Sequence, residues 1–171
     1  MQISGFAGKT VAIMVASGFD EEMFIAIQRA MLSVGAKLKV VSRDAGLTNA
    51  WNGTGWGMSY PVDATISTAL AVDYDILIVP AGSRHAETLA GEVHVKRLLR
   101  AFLRESMPVL MVADAVALLD VVDVARPAIT EGTLFTSEGS LVVAAKEDTP
   151  LSSLEALSNF IVSQDRENVA A

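Results

Sequence analysis

A turn at residues 113 and 114 is the place where this sequence predicts a nucleophile and provides none. Residues 108–112, Pro-Val-Leu-Met-Val, form an apolar run typical of a buried strand, and a helical pattern follows directly. Such a strand-to-helix turn lifts one side chain above the sheet beside a helix N-terminus, where many α/β enzymes hold a nucleophile. Here that side chain is the methyl group of Ala113, and the chain contains no cysteine. The pattern predicts an enzyme-like scaffold without the expected reactive atom.

Acidic side chains at two predicted turns could support other chemistry. Asp114 could act as an acid, a base or a ligand anchor, but cap statistics favour a role as N-cap of a helix beginning near Ala115. Asp20, Glu21 and Glu22 follow the first predicted strand, where open α/β sheets place ligands. Three acids could hold a metal ion, but capping and solvated first-turn charge fit this position better. We therefore expect no metal site and no cofactor.

A further candidate segment is residues 82–85, Gly-Ser-Arg-His, which follows an apolar run at 75–80. Gly82 and Ser83 therefore come to the same predicted sheet edge as Ala113. A serine two residues from a histidine does not indicate a catalytic triad, because triad partners meet in space and not in sequence. Backbone N–H groups at a helix start can bind an anion, but they are more often capped in the ordinary way. An anion site here is the less favoured alternative.

The composition excludes several classes of protein. The 171 residues fit one domain, and 51% hydrophobic against 19% charged residues allow a substantial core. The net charge of −7 argues against binding to nucleic acid or to an anionic membrane. No segment has the pattern of a membrane span or a signal peptide, so we expect a soluble cytoplasmic protein.

Apolar runs alternate with helical patterns along the chain, which predicts a single α/β domain spanning residues 1–171. Strands are predicted near residues 10–16, 37–42, 75–80 and 108–112, with shorter β-like runs at 133–136 and 141–145. Helices are predicted after Asp20, at residues 86–89 and 93–105, after the turn at 113, and from Pro150 onward. Residues 44–62, rich in glycine and aromatic residues, predict a hairpin or a long excursion. Together these elements predict a doubly wound, flavodoxin-like parallel sheet with helices on both faces.

Five segments in a fixed order carry a family resemblance: residues 9–22, 35–42, 73–82, 108–119 and 132–139. With them the chain resembles the ThiJ/PfpI superfamily over about residues 8–165, and the resemblance implies the fold of class I glutamine amidotransferases. Residues 61–65 followed by 72–75 look most like the C-terminal domain of large-subunit catalases. That domain is a ThiJ/PfpI-like unit generally regarded as non-enzymatic.

The chain departs from the superfamily at the residues that carry its chemistry. Family enzymes place cysteine, histidine and glycine at the elbow, and the matching positions are Ala113, Asp114 and Ala115. The family glutamate that tunes the cysteine falls on Met23. Backbone N–H groups of residues 82–85 would form an oxyanion hole in such folds, but without a nucleophile they offer at most an anion site. We therefore expect neither cysteine-type hydrolase nor glyoxalase nor deglycase activity.

Three classes of function stay open. A non-catalytic binding or structural module, related to the catalase domain and with a role in stress, explains the lost residues most simply. An enzyme that uses Asp20, Glu21 or Asp114 for carboxylate chemistry is the alternative. A small-molecule sensor is the third class, because Met23 and Ala113 would make the vacated pocket friendlier to an apolar ligand.

The resemblance also implies a homodimer, because members of the superfamily commonly pair near the first helix and the excursion after the second strand. Several residues there are suited to an interface: Phe24, Gln28, Trp51, Trp56, Met58 and Tyr60. Aromatic residues are enriched in interface cores. The alternative is a monomer in which the two tryptophans close over one end of the sheet.

Overall fold

The apolar runs of the sequence form the strands of one central, mostly parallel sheet. The computed structural model describes residues 3–148 and 152–170, and the elements below lie within them. The strands are β1 (Thr10–Val15), β2 (Phe19–Asp20), β3 (Lys37–Ser42), β4 (Leu47–Trp51), β5 (Trp56–Pro61), β6 (Ala64–Thr65), β7 (Ile76–Val79), β8 (Val109–Val112), β9 (Phe135–Glu138) and β10 (Leu141–Ala144). The α-helices are α1 (Glu21–Ser33), α2 (Ser83–Ala90), α3 (Val93–Arg104), α4 (Leu118–Val121) and α5 (Ser152–Ala170). The four predicted core strands correspond to β1, β3, β7 and β8.

The main sheet has the strand order β6-β3-β1-β7-β8-β10-β9. Neighbouring strands are parallel except β9, which runs antiparallel to β10. Strand β8 is paired on both sides, as its fully buried sequence Val-Leu-Met-Val requires. The predicted parallel α/β architecture is therefore confirmed.

Helices cover both faces of the sheet, so alternate side chains of each central strand enter different cores. On one face, Ile27 of α1 and Leu157 of α5 pack in the same core as Ile13 of β1. On the other face, Leu99 of α3 packs in the same core as Met14 of β1. A strand buried on both faces reads as a continuous apolar run, which is why the first strand shows no alternation in the sequence.

The glycine-rich aromatic segment forms the predicted hairpin. Strands β4 and β5 are antiparallel, with a register shift between Asn49 and Trp51, and β2 joins β4 in parallel to complete a second small sheet. The ring of Tyr60 lies 4.6 Å from that of Phe24, so the hairpin packs against α1. Residue Phe24 is fully buried in this contact, against the expectation that it is free for a partner.

The helix starts differ from the prediction in two places. The segment after β8 is a 3-10 helix from Ala113 to Ala117 that precedes α4, and no side chain caps it. The expected cap at Asp114 is wrong, because the extended residue that precedes the helix is Val112 (φ −118°, ψ 129°). Helix α2 begins at Ser83, three residues earlier than predicted. The predicted helix start at Pro150 lies outside the described residues.

In the part of the chain that the structure describes, every helix is too short or too polar to cross a lipid bilayer.

Candidate functional site

The candidate site lies where the chain changes direction across the sheet. In the sheet, β1 lies between β3 and β7. The chain continues from β1 to β3 on one side and later adds β7 on the other side. The carboxyl ends of β1 and β7 therefore form a topological switch point. Open α/β sheets bind ligands in the crevice outside the carboxyl ends of the strands at such a point. The turns after β1 and β7 touch each other there. A Cβ atom on Gly82 (φ 141°) would lie 2.6 Å from the carbonyl oxygen of Gly18, so only glycine permits this approach.

A cleft of about 240 Å³ opens beside these turns. Its lining comes from the turns after β1, β7, β8 and β10 and from the hairpin β4–β5: Gly18, Asp20, Trp51, Gly53, Ala81, Gly82, Ser83, Arg84, Asp114 and Lys146. The structure therefore brings together Asp20, Gly82, Ser83 and Asp114 from the candidate residues. The other three candidates, Glu21, Met23 and Ala113, are not part of the lining.

Residue Ala113 keeps the strained backbone that an elbow nucleophile would have. Its φ of 53° lies in the left-handed region, which costs a residue with a Cβ atom about 1–2 kcal/mol. The side chain is half-buried and packs against the core that α1 and α5 cover. The elbow geometry is thus present, and its side chain carries no atom that could attack a substrate.

Residue Met23, at the position of the expected tuning acid, is part of the core. It is 3% exposed, and its sulfur accepts a hydrogen bond from the backbone N–H of Ala81 at 3.4 Å. A thioether therefore joins α1 to the end of β7. It has no proton to exchange, so this position cannot tune the acidity of a neighbour.

Two of the acidic candidates have structural partners. The Asp20 carboxylate accepts a hydrogen bond from the N–H of Met23 at 2.9 Å, which confirms the predicted cap of α1. The Glu21 carboxylate accepts hydrogen bonds from the N–H of Met58 at 2.7 Å and the hydroxyl of Tyr60 at 3.1 Å. Burial raises the pKa of Tyr60, and the Glu21 carboxylate adds to the rise. Glu21 thus ties the hairpin to α1.

Arg84 is held at the rim of the cleft by both tryptophans. Its guanidinium carbon lies 5.0 Å from the ring centroid of Trp51 and 5.5 Å from that of Trp56. The two indole rings meet edge to face, with centroids 5.5 Å apart. An arginine over an aromatic face gains about 0.5–1 kcal/mol at an exposed site. The tryptophans therefore hold a cation beside the cleft.

Two cations of the cleft, Arg84 and Lys146, were missed by reasoning from the sequence. Arg84 lies between residues that were singled out, but its stacking on the tryptophans joins distant segments and leaves no local signal. Lys146 does leave a signal, because it follows the apolar run of β10. Placing that run in the parallel sheet would have brought Lys146 to the carboxyl edge.

His85, the residue after Arg84, is fully buried beneath the cleft. Its Nδ1 accepts a hydrogen bond from the N–H of Ala16 at 3.3 Å, and Nε2 donates to the carbonyl of Pro80 at 2.6 Å. Burial lowers the pKa of His85 to about 4, while the bond to Pro80 and the charge of Asp114 oppose this effect. The imidazole is neutral at pH 7 and connects the ends of β1 and β7.

Within residues 3–148 and 152–170, no three histidine, aspartate or glutamate side chains are grouped as ligands of a metal ion.

Solved structures with the same fold include three relatives. Drosophila melanogaster DJ-1beta superposes with a TM-score of 0.76 at 14% identity, covering 95% of this chain and 98% of that one. A ThiJ/PfpI domain protein from Brachyspira murdochii gives a TM-score of 0.75 at 18% identity, covering 92% and 98%. A two-domain protein with DJ-1/ThiJ/PfpI-like and ferritin-like domains from Anabaena variabilis gives 0.75 at 17% identity, covering 91% of this chain and 48% of that one. At these identities the likeness shows the fold.

No curated protein sequence matches the chain. The sequence pattern of the DJ-1/PfpI family matches residues 9–126, which include β1, α1, the hairpin, β7, α2, β8 and the elbow. Because this match spans well over half of the 171 residues, the chain belongs to the DJ-1/PfpI family.

Proposed function

We propose that this chain is a non-catalytic binding member of its family, which holds a small polar molecule in the cleft without forming a covalent bond. The observation that carries the proposal is Ala113: the elbow keeps its φ of 53°, but the side chain is a methyl group. A thiolate mechanism needs a sulfur nucleophile and surroundings that lower its pKa. A methyl group at the elbow and a buried thioether at Met23 support binding without nucleophilic attack.

The lining of the cleft favours a polar ligand. The sequence suggests an apolar pocket made by Met23 and Ala113, but both side chains pack against the core and neither lines the cleft. The cleft is lined by charged side chains instead, among them Asp114, Arg84 and Lys146. A sensor for an apolar ligand therefore has little support, whereas binding of a small polar molecule fits the lining.

Carboxylate chemistry is the second candidate, and Asp114 is the residue that favours it. This side chain is exposed to the cleft, and it makes no hydrogen bond or ion pair within residues 3–148 and 152–170. General acid–base catalysis needs a group within reach of the substrate proton. Asp20 and Glu21 already accept hydrogen bonds from α1 and from the hairpin. Of the three carboxylates considered for catalysis, Asp114 is then the one left without such a partner in the described part of the chain. We therefore propose binding as the first function and catalysis as the second.

Three finer parts of the proposal come from the sequence. Residues 61–65 and 72–75 support a module similar to the catalase C-terminal domain. The acidic composition supports a cytoplasmic location. The exposed hydrophobic side chains of the hairpin support a homodimer.

The proposal predicts binding without turnover. Thermal unfolding of the purified chain with a panel of carboxylates, aldehydes and metal ions is expected to reveal a stabilising small molecule. A ligand at 100 times its dissociation constant adds about 2.7 kcal/mol to the stability of the folded state. Methylglyoxal and peptide substrates are expected to decay at the rate in buffer. Stabilisation by no compound of the panel, or clear turnover by the unmodified chain, would each contradict the proposal.

A double variant tests whether the side chains at positions 113 and 23 account for the expected absence of turnover. Ala113→Cys with Met23→Glu supplies the sulfur and the acid on an elbow that is already strained. Ala117→Cys with Met23→Glu is the matched control, because Ala117 lies in the same 3-10 helix with an ordinary backbone (φ −59°, ψ −21°). Activity towards methylglyoxal in the first variant and not in the second would locate the loss at the elbow.

A further inference from the structure

We propose that the cleft selects small zwitterions, molecules that carry a carboxylate at one end and a protonated amine at the other. This inference rests on the proposed binding function and names the chemical class of its ligand. It stands on the arrangement of fixed and unpaired charges around the cleft of about 240 Å³.

Two cationic side chains of the cleft, Arg84 and Lys146, are available to a carboxylate. The Arg84 guanidinium carbon lies 5.0 and 5.5 Å from the Trp51 and Trp56 ring centroids, and its N–H groups form no hydrogen bond within residues 3–148 and 152–170. Arg84 and Lys146 form no ion pair with any side chain in residues 3–148 and 152–170. A planar guanidinium donates two parallel hydrogen bonds to a carboxylate, and a pre-oriented one loses less conformational entropy on binding.

Two anionic side chains of the cleft, Asp114 and Asp20, are available to an amine. Asp114 is exposed in the lining and forms neither a hydrogen bond nor an ion pair with another described side chain. Asp20 lies in the same lining, with one carboxylate oxygen occupied by the N–H of Met23. A carboxylate accepts hydrogen bonds at both oxygens, so Asp20 keeps acceptor capacity for a ligand.

The mixed charge of the lining discriminates against ligands with a single sign of charge. Two cationic and two anionic side chains share one small cleft: Arg84, Lys146, Asp20 and Asp114. An anion such as phosphate would meet Arg84 but also the repulsion of Asp114, and a simple amine would meet the reverse. A ligand with both charges gives each protein charge a partner, which compensates the loss of hydration on both sides. Size sets the second limit, since the volume suits a molecule of amino-acid dimensions.

The test is a series of ω-amino carboxylates with increasing charge separation: glycine, β-alanine, 4-aminobutanoate and 5-aminopentanoate. Each is compared by titration calorimetry with the carboxylate and the amine of the same chain length, and with inorganic phosphate. Binding also perturbs the fluorescence of the chain's two tryptophans, because both contact Arg84. We expect one member of the series to bind at least tenfold more tightly than its single-charge counterparts.

Charge-removing variants distinguish the zwitterion from the simple carboxylate. Arg84→Met keeps an apolar side chain against the tryptophans and is expected to weaken the zwitterion at least tenfold. Asp114→Asn is expected to weaken the zwitterion and to strengthen the simple carboxylate, because a repulsive charge is removed. Arg29→Met and Asp123→Asn, exposed and outside the cleft, are controls that leave all affinities unchanged.

The possible failures separate this inference from the proposed function. Equal affinity for a carboxylate and its zwitterion, both lost in Arg84→Met, would keep the binding function and overturn the zwitterion class. Tighter binding of phosphate than of any zwitterion would do the same. Binding of none of these probes would overturn the inference, while stabilisation by another compound of the broader panel would keep the binding function.

Discussion

Ala113 has a left-handed backbone conformation, which is unfavourable for an alanine. Left-handed φ values in residues with a Cβ atom persist only where the surrounding structure imposes them, and they cluster at functional sites. In this chain, the elements on both sides of Ala113 impose its conformation: β8 is paired on both sides, and the 3-10 helix follows it directly. The alanine therefore keeps a strained backbone at a position where its side chain carries no nucleophilic atom.

Removal of this strain gives the first prediction. Ala113→Gly is expected to leave the free energy of unfolding unchanged or to raise it by up to about 1 kcal/mol, because glycine adopts a φ of 53° without strain. Ala117→Gly, in the same 3-10 helix at a φ of −59°, is expected to lower it by about 0.5–1 kcal/mol. Urea denaturation of both variants measures the contrast, and equal losses in the two would contradict the strain at Ala113.

The buried imidazole of His85 predicts a dependence of stability on pH. An unfolded histidine binds its proton near pH 6.5, whereas burial lowers the pKa of folded His85 to about 4. The unfolded chain therefore binds more protons between these values, and stability falls as the pH drops from about 6.5 to about 4. The loss from this group amounts to about 3 kcal/mol by pH 4.

The comparison of two histidine variants isolates this effect from the titration of carboxylates. Glutamine at position 85 can accept from Ala16 and donate to Pro80, but it does not titrate. We expect His85→Gln to flatten the stability profile between pH 6.5 and 4, whereas His94→Gln keeps the slope of the unmodified chain. Denaturant unfolding at several pH values measures both slopes. A slope unchanged in His85→Gln would show that His85 is not its source.

At the scale of elements, the Glu21 carboxylate adds hydrogen bonds to the packing of the hairpin β4–β5 against α1. Glu21 accepts hydrogen bonds from Met58 and Tyr60. Glu21→Ala is therefore expected to lower the free energy of unfolding by about 1–3 kcal/mol. It should also speed amide hydrogen exchange in residues 47–61. Glu22→Ala is the matched control, since Glu22 is the exposed neighbour in the same helical turn. Equal exchange in both variants would contradict this role of Glu21.

The hairpin also shows how much of the fold the sequence could predict. Long apolar runs and turn residues were sufficient for β1, β3, β7, β8 and the hairpin itself, because burial on both faces and glycine-rich turns leave local signals. The two-residue strands β2 and β6 leave no such signal, since they exist only through their neighbours. The expected cap at Asp114 is wrong for a related reason. Val112 is the last extended residue and the 3-10 helix already begins at Ala113, a backbone conformation that composition does not predict.

The candidate site was predictable to the extent that topology places residues at one edge. Asp20, Ser83 and Asp114 each follow a predicted strand, and the structure brings all three to the same cleft. Side-chain direction was not predictable: Glu21 turns to the hairpin and Met23 into the core, although both are neighbours of Asp20 on the chain. A helix separates adjacent residues by about 100° around its axis, so neighbours in sequence face different surroundings.

At the scale of the whole molecule, the hairpin contributes both to the cleft and to the exposed surface. One part of it belongs to the cleft, where Trp51 contacts Arg84. Another part leaves large hydrophobic side chains in contact with solvent: Leu47 at 58%, Trp56 at 54% and Met58 at 67% exposure. A group of such side chains on one small element is typical of an interaction surface. Phe24 and Tyr60, also expected at an interface, pack instead against Phe19 within the chain.

We predict that this exposed part of the hairpin mediates a homodimer, because two-fold pairing is the commonest assembly and self-complementary apolar patches suit it. Light scattering at micromolar concentration is expected to give twice the monomer mass of 18.1 kDa, and a mass near 18.1 kDa would contradict the dimer. Leu47→Lys with Met58→Lys is expected to produce the monomer without touching the tryptophans that hold Arg84. The control, Leu70→Lys with Val72→Lys, adds the same charge to exposed side chains outside the hairpin and should stay dimeric. A dimer that survives the hairpin substitutions would show that the contact lies on another surface.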